Sequence, residues 1–472
     1  MACDSSNQQQ LHIILFPFMA QGHILPLLDI AKLLTSRGLK TTLITTPSNA
    51  PTLNKSNQTS KINIKFIRFP TDELPENLDL VTDKEVHAKF FDSLPLLQEP
   101  LEQILQELHP NGIISDMFFP WTANLASKYG IPRLVFSGTS FFSMCCLENL
   151  EKHQPHKTVS SDTELFMMPE FPNSIAFSRS QLSDSFKLDQ PTIFTKLFEN
   201  AREAEKISFG TIVNSFYELE FGYVDYYRGI LGKKAWHIGP VSLCNKNLEE
   251  KSQRGKESRI DEHKCIKWLD AKKPNSVLYV SFGSIANFDD NQLLEIALGL
   301  EASNQDFIWV VRREKNEEEK WLPNGYEKRL EDKGLIIRGW APQILILDHQ
   351  AIGGFVTHCG WNSSLEGVSS GLPMVTWPIF ADQFFNEKLI TDVLRIGVGV
   401  GAKKWVRMVG DFVESGKIVR AVKEVMVGEK AEEMRIRAKN FGELARRAIE
   451  EGGSSYNDLD KLIEDLKSYQ HC

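Results

Sequence analysis

The chain has 472 residues, of which 42% are hydrophobic and 25% charged, and its formal net charge is −8. This length is too great for one ordinary hydrophobic core, so two domains of roughly 200 residues each are expected. The acidic balance argues against a nucleic-acid surface, which needs a clustered basic stripe. It does not exclude a small anionic ligand, because a single site needs only a few local donors.

The first half of the chain alternates short apolar runs with longer amphipathic segments. The apolar runs predict strands at Ile13–Phe18, Thr41–Thr46, Ile64–Phe69, Gly112–Ser115, Arg133–Ser137 and Thr211–Asn214. The segments between them predict helices at Ile24–Ser36, Lys84–Leu108, Trp121–Lys128 and Phe141–Leu150. Such alternation indicates a parallel sheet covered on both faces.

Residues 245–264 are rich in charge, Asn and Ser, which predicts a surface linker. Alternation then restarts, with strands predicted at Ser276–Ser281, Phe307–Val311, Leu335–Ile337, Gly354–Thr357 and Met374–Trp377. The accompanying helices are predicted at Asn291–Leu300, Asn386–Leu394, Ile418–Val427 and Ala431–Glu450, with another after Gly452-Gly453.

We therefore predict an α/β protein with two Rossmann-like, doubly wound domains that face each other across a cleft. The predicted boundaries are 1–244 for the first domain, 245–264 for the linker and 265–452 for the second domain. The remaining residues, 453–472, are predicted to form a C-terminal helix that packs back on the first domain.

The seven cysteines are scattered and form neither a CxxC pair nor a metal-ligand spacing. Such a set is typical of reduced thiols in the cytoplasm. The apolar run at residues 11–18 lacks a basic flank and a cleavage site, so a buried first strand explains it better than a signal peptide. The chain has no window of about 18 apolar residues, so no membrane span is predicted. Nothing in the sequence demands more than a monomer.

Open α/β sheets bind ligands beyond the carboxyl ends of their strands, so the residues that follow each strand carry most of the functional information. His23 follows the first predicted strand and can act as a general base near neutral pH. Asp116 ends the fourth predicted strand, at the same edge of the sheet, and can orient the imidazole. From these residues alone, a packing histidine and an aspartate that caps a helix are equally good interpretations.

Residues 353–366 are typical of a strand, a glycine turn and a helix. Free amides at a helix N-terminus bind phosphate oxygens, and Asn362, Ser363 and His358 would add side-chain donors. The alternative for Ser363 to Glu366 is an ordinary capping box. The turn is neither a P-loop nor a GxGxxG dinucleotide motif.

Other polar and aromatic residues also follow strands of the second domain. Trp340 can stack a nucleobase, although a partly buried core tryptophan is the more common case. Asp382 and Gln383 offer hydrogen bonds to sugar hydroxyls, or simply begin a helix. The turn at Ser281–Ser284 is a weaker candidate for phosphate contact.

Taken together, residues 340–383 resemble the donor-binding signature of plant secondary-product UDP-glycosyltransferases, an inverting family with the GT-B fold. The matching elements are WAPQ, HxxxGxFxTHCGWNS, LEG and WPxxADQ, and FPFMAQGH, SDMFFPW and SFGS also fit. The similarity extends from about Leu11 to Tyr456. It looks closest to the branch that glucosylates phenylpropanoids, coumarins and flavonoids.

This resemblance implies that the first domain binds the acceptor and the second binds the UDP-sugar. Trp340 would stack uracil, the Ala341 backbone would contact its edge, and Gln343 would belong to the same donor site. Glu366 would hold the ribose hydroxyls. The diphosphate would be held by His358, Asn362, Ser363 and Ser284, and the sugar by Trp361, Asp382 and Gln383. In this family a final Gln goes with glucose and a final His with galactose.

The implied reaction is inverting and metal-free, and it needs no cofactor besides UDP-glucose as co-substrate. His23 would take the proton of the acceptor hydroxyl, Asp116 would orient His23, and the product would be a β-glucoside. The acceptor-pocket candidates are Met19, Phe118, Phe119 and Phe141. An apolar wall of this kind suits a phenol, coumarin, flavonoid or indoxyl-like alcohol, and equally a triterpenoid or steroid.

Three other classes of protein fit the sequence less well. A double-Rossmann oxidoreductase would need a GxGxxG turn followed by an acidic residue, which neither half contains. A glycosidase would present two carboxylates at the scissile bond. A non-catalytic sugar-nucleotide-binding protein is the more serious alternative, and the presence of both His23 and Asp116 argues against it.

Overall fold

The computed structural model describes residues 10–57, 60–70, 74–81, 84–188, 190, 192–258, 260, 262–313 and 321–469. In the first half, the strands are β1 (His12–Phe16), β2 (Lys40–Thr45), β3 (Asn63–Phe66), β4 (Gly112–Asp116), β5 (Arg133–Phe136), β6 (Leu165–Met167), β7 (Ala176–Ser178), β8 (Gly210–Val213) and β9 (Ala235–His237). The helices are α1 (Gln21–Ser36), α2 (Ala50–Ser56), α3 (Lys84–Ser93), α4 (Gln98–Leu108), α5 (Thr122–Lys128), α6 (Phe141–His153), α7 (Asp184–Lys187), α8 (Ile193–Lys206) and α9 (Tyr217–Asp225).

In the second half, the strands are β10 (Val277–Ser281), β11 (Asp306–Val311), β12 (Gly334–Arg338), β13 (Ile352–Thr357), β14 (Met374–Thr376) and β15 (Gly397–Gly399). The helices are α10 (Leu248–Gln253), α11 (Glu262–Asp270), α12 (Asp290–Ser303), α13 (Tyr326–Arg329), α14 (Gln343–Leu347), α15 (Trp361–Ser369), α16 (Gln383–Lys388), α17 (Ser415–Val427), α18 (Ala431–Ile449) and α19 (Ser454–Lys467).

Each half contains a parallel sheet. The first has the strand order β3-β2-β1-β4-β5-β8-β9, and the second has the order β12-β11-β10-β13-β14-β15. Every residue of β1 and of β10 is buried, because helices cover both faces of each sheet. The strand order reverses between β1 and β4 in the first sheet and between β10 and β13 in the second. Crevices at such points are where open α/β sheets bind ligands.

The hydrophobic core follows the two sheets. Two clusters of buried side chains cover the opposite faces of the first sheet, around Leu15 and Phe16 respectively. A third lies within the second domain around Trp309. A fourth contains residues of both domains, from Phe141 to Phe355 and beyond. The two domains are therefore joined by buried apolar contacts as well as by the chain.

The C-terminal helix α19 leaves the second domain and packs on the edge of the first sheet. Its Asp458 carboxylate accepts a hydrogen bond from the backbone N–H of His237, in β9, at 2.7 Å. It also pairs with Arg228 at 2.5 Å. Leu459 and Leu462 are buried in the core of the first domain.

Several local features differ from the sequence prediction. The helix predicted at 84–108 is divided into α3 and α4 by a 3₁₀ turn at Leu94–Leu97, where Pro95 lacks the N–H that a continuous helix would use. The segment predicted as a surface linker contains α10 and the start of α11. The three-residue strands β6, β7, β9 and β15 were not predicted, and β15 is Gly-Val-Gly, which carries little strand signal.

Five cysteines lie in the described residues, and all five are free thiols. Cys3 and Cys472 lie outside those residues. Within the described part of the chain, no helix combines the length and the apolar character needed to cross a membrane.

Candidate active site

The two strand-order reversals face one cavity of about 1610 Å³ that extends between the domains. On one side, the first turn of α1, which follows β1, supplies His23, and Asp116 lies buried behind it at the end of β4. The turns after β10 and β13 supply Ser284 and His358 on the other. Residues that are far apart in the sequence therefore meet at the carboxyl edges of the two sheets.

His23 and Asp116 form a direct pair. Nδ1 of His23 lies 2.6 Å from Oδ2 of Asp116, whose side chain is fully buried. The other carboxylate oxygen of Asp116 accepts the Phe118 N–H at 3.1 Å, so the aspartate is fixed by its own turn. Asp116 does not cap α5, which begins at Thr122. With Nδ1–H donated to Asp116, Nε2 is left as the basic nitrogen, and it has no hydrogen-bond partner among the described residues.

The charge of Asp116 controls the protonation of His23. Burial alone would lower the pKa of the imidazole, but the charge of Asp116 and its hydrogen bond more than offset burial, with smaller contributions from Asp382 and Asp79. The pKa of His23 is therefore raised above its ordinary value of 6.5. A raised pKa makes His23 a better proton acceptor and stabilises the imidazolium that forms when it accepts.

His358 is held between two glycine turns on the second-domain side of the cavity. A Cβ atom at Gly283 would lie 2.6 Å from the His358 ring, and a Cβ at Gly360 would overlap the same ring. Gly283 has φ +73°, which also favours glycine. Burial lowers the pKa of His358 to about 4. The ring is thus neutral at pH 7 and offers a hydrogen bond rather than a charge.

Glu366 lies inside helix α15, within Trp361–Ser369. The N-cap of α15 is Gly360, without a side-chain bond, so the alternative of a capping box is not formed. Oε2 of Glu366 instead accepts a hydrogen bond from Gln343 Nε2 at 2.8 Å, and Gln343 also reaches Ser363 Oγ at 3.2 Å. Trp340 and Ala341 line the cavity beside this group.

Asn362 and Trp361, at the start of α15, both contact the first domain. Asn362 Nδ2 donates to the Gly22 carbonyl at 2.5 Å, directly beside His23. Trp361 Nε1 donates to the Asn214 carbonyl at 2.7 Å. The indole N–H is therefore already used, and only the ring of Trp361 is available to line the cavity.

Asp382 and Gln383 lie where the two halves of the cavity meet. Asp382 accepts hydrogen bonds from Thr139 Oγ1 and from Asn386 Nδ2. Burial raises the pKa of Asp382, and these bonds and the nearby His23 partly offset that effect. Gln383 Oε1 accepts the backbone N–H groups of residues 379 and 380 at 2.8 and 2.9 Å, which fixes the side chain.

Comparison with known proteins finds relatives that match nearly the whole chain. The family model described as UDP-glucoronosyl and UDP-glucosyl transferase matches residues 256–438. Scopoletin glucosyltransferase of Nicotiana tabacum is 53% identical over 98% of both chains. UDP-glucose flavonoid 3-O-glucosyltransferase 7 of Fragaria ananassa is 52% identical over 99% of this chain and 98% of its own.

The chain belongs to the UDP-glycosyltransferase family. Among solved structures, a Glycyrrhiza uralensis UGT complexed with glycyrrhetinic acid 3-O-monoglucuronide superposes with a TM-score of 0.91, at 39% identity over 98% of this chain and 96% of that one. Phytolacca americana UGT2, complexed with UDP-2-fluoro-glucose and pterostilbene, has a TM-score of 0.80 at 27% identity, covering 97% and 100%. The predicted two-domain GT-B fold is confirmed.

Of the four residues predicted for the acceptor pocket of this UDP-glycosyltransferase, only one lines the cavity and three do not. Phe118 lines the cavity, with its ring centroid 5.6 Å from that of His23. Met19 is fully buried in the core beneath the turn. Phe119 points the opposite way from Phe118 and stacks on Phe16 at 4.2 Å. Phe141 packs against Tyr227, at 5.6 Å, inside the interdomain core.

On the first-domain side, the cavity wall is built by aromatic and other residues that sequence reasoning did not select. They come from the turn after β1 and from helices α3, α6 and α8, and they include Phe18, His87, Phe91, Met144, Phe194 and Phe198. Arg407 of the second domain lies over the Phe194 ring at 3.9 Å. Burial and the charge of Arg407 lower the pKa of His87 to about 4. No short motif links these residues, so no local signal marked them.

Proposed function

We propose that this enzyme transfers glucose from UDP-glucose to a hydroxyl of a small, apolar, aromatic acceptor and inverts the anomeric centre to give a β-glucoside. The observation that carries the proposal is the 2.6 Å His23–Asp116 pair, which lies in an aromatic-walled cavity opposite the donor residues. The names of the Nicotiana and Fragaria relatives agree with this substrate class.

In the proposed reaction, the acceptor O–H proton passes to Nε2 of His23 as the oxygen attacks C1 of the glucosyl group. The bond between C1 and the β-phosphate oxygen breaks, and UDP leaves with the electron pair. Asp116 stabilises the imidazolium, which then returns its proton to solvent. The net products are the β-glucoside, UDP and one proton.

The donor would be held by the residues gathered on the second domain. The uracil ring would stack on Trp340 beside the Ala341 backbone, and the ribose would bind Glu366 beside Gln343. The N-terminus of α15, with Asn362 and Ser363, would stabilise the charge that develops on the diphosphate. His358 and Ser284 would supply further donors.

The glucosyl group would lie against the Trp361 ring and be fixed by the side chains of Asp382 and Gln383. The Gln383 carbonyl is already bonded to backbone, so its amide N–H₂ is the group available to a sugar hydroxyl. We further propose that the enzyme is a metal-independent, cytoplasmic monomer, since one chain supplies both halves of the site.

The test is UDP release from UDP-glucose against a panel of phenols, coumarins, flavonols, indoxyl-like alcohols and triterpenoids, with and without EDTA. We expect turnover with planar aromatic alcohols, a β-configured product by NMR, and no effect of EDTA. Turnover with triterpenoids alone would show that the acceptor is a triterpenoid and not a planar aromatic alcohol. An α-configured product would contradict the mechanism. UDP binding without turnover on any acceptor would favour the non-catalytic alternative.

A further inference from the structure

The interdomain segment contains a buried arginine that its polar composition did not indicate. The Arg254 side chain is only 8% exposed, and its guanidinium bridges two carboxylates. Nε lies 2.9 Å from Oδ2 of Asp29, in α1 of the first domain. Nη1 lies 2.7 Å from Oε1 of Glu366, in α15 of the second domain. Arg254 thus joins the acceptor domain to the carboxylate proposed to hold the ribose.

The groups around the bridge are matched in charge. Asp29 also accepts a hydrogen bond from Asn245 Nδ2 at 2.9 Å, and Lys32 lies nearby, bonded to the Asn245 side-chain carbonyl at 2.7 Å. Burial alone would lower the pKa of the Arg254 guanidinium, but the carboxylates of Asp29 and Glu366 more than offset burial, and the pKa is raised. The guanidinium therefore remains charged where it faces the Glu366 carboxylate, and charge-assisted hydrogen bonds of this kind are the stronger ones.

The next residue fixes the segment against the proposed uracil site. Gly255 has φ +99°, and a Cβ there would overlap the Trp340 indole, with Cε2 at 2.7 Å. Its N–H donates to Ser56 Oγ at 3.2 Å, and the same hydroxyl donates to the Gln253 carbonyl at 2.8 Å. The backbone beside Arg254 is thus attached to α2 and packed on Trp340, so the guanidinium has a defined position.

We infer that Arg254 is a positioning residue for nucleoside-diphosphate binding, acting through Glu366 on the 2′- and 3′-hydroxyls of the ribose. Each carboxylate oxygen can accept two hydrogen bonds. Arg254 and Gln343 each occupy one position, on Oε1 and Oε2 respectively, which leaves one on each oxygen for the two ribose hydroxyls. The inference rests on the proposed function, because it takes Glu366 as the ribose ligand.

The test compares two probes, UDP and 2′,3′-dideoxy-UDP, by isothermal titration calorimetry on the full chain. Arg254→Ala should weaken UDP binding roughly tenfold, the loss expected when a charged hydrogen-bond partner is removed, and barely change the affinity for 2′,3′-dideoxy-UDP. Arg254→Lys keeps the charge but cannot hold both carboxylates, so an intermediate loss is expected. The KM for UDP-glucose should rise more than kcat falls.

Lys251→Ala is the matched control, since Lys251 lies in the same segment and pairs with Asp348 at 2.6 Å, away from the nucleotide residues. It should leave both affinities unchanged. If Arg254→Ala weakens both nucleotides equally, the residue is merely structural and the inference is wrong. If Arg254→Ala does not fold, Arg254→Lys decides the question by the same comparison. Glu366→Ala tests the proposed ribose site separately from the role of Arg254. If this variant loses the same affinity for UDP as for 2′,3′-dideoxy-UDP, the proposed ribose site is wrong.

Discussion

Replacing Asp116 by Asn should separate the charge of the catalytic pair from its shape. The Asn side-chain oxygen can still accept the Phe118 N–H, as Oδ1 does now at 3.1 Å. The amide N–H₂ then faces His23 Nδ1 at the present 2.6 Å separation, where two N–H donors repel. The imidazole is expected to move its proton to Nε2, which removes the basic nitrogen that faces the acceptor.

The expected loss in kcat is about 10²–10⁴-fold, the upper value being that of the corresponding change in a Ser–His–Asp triad. This equals roughly 3–5 kcal/mol of transition-state stabilisation. His23 must be neutral to accept a proton, so kcat/KM rises with pH through its pKa. Asp116 holds that pKa above 6.5. Without this charge, burial lowers the pKa, and the acid limb of the profile should move to lower pH.

The assay is kcat/KM as a function of pH, with UDP binding as the check on folding. Asp458→Asn is the matched control, because Asp458 also lies near a histidine, 3.5 Å from Nε2 of His237, but outside the cavity. That variant should lose stability and keep the wild-type pH profile. Wild-type turnover in Asp116→Asn, or an acid limb that does not move, would refute the assigned role of the pair.

Two further predictions each compare a pair of variants, one at a cavity residue and one at a control residue. Phe118→Ala should raise the acceptor KM with little loss of stability, whereas Phe119→Ala should cost about 3–5 kcal/mol of unfolding free energy, because its ring is in the core. The acceptor KM is measured by kinetics and the stability by denaturant unfolding. A raised KM in Phe119→Ala and a large loss of stability in Phe118→Ala would contradict the assignment of Phe118 to the cavity wall. Gly283→Ala should raise the KM for UDP-glucose by displacing His358, while Gly232→Ala, with φ +65° and no atom within 4 Å, should show backbone strain alone. Equal KM values for UDP-glucose in the two variants would show that His358 does not contribute to donor binding.

The features that could be predicted from the sequence are those shown by a local pattern or by the rule that ligands bind beyond the carboxyl ends of strands. Buried parallel strands are nearly continuous apolar runs, so β1 and β10 were placed within two residues of their observed bounds. The donor residues from Trp340 to Gln383 lie within one 44-residue stretch with a recognisable motif. His23 and Asp116 were brought together by the rule for strand ends, because β1 and β4 are neighbours.

The acceptor wall could not be predicted, because its side chains come from separate helices and their directions depend on packing. Phe118 and Phe119 are adjacent in the sequence, yet one faces the cavity and the other the core. Arg254 was missed for a different reason. Polar composition predicts contact with water. A polar side chain can also be buried in a cleft when carboxylates there pair with its charge, as Asp29 and Glu366 pair with Arg254.

The most direct test of the central claim is the turnover of His23→Ala with UDP-glucose and a responsive phenol, measured beside His12→Ala. His12 is a buried histidine, bonded to Thr42 Oγ1 at 2.8 Å within the first sheet and away from the cavity. We predict a loss of about 10²–10⁴-fold in kcat for His23→Ala with UDP affinity retained, and little change per folded molecule for His12→Ala. Equal turnover in the two variants would show that His23 is not the base.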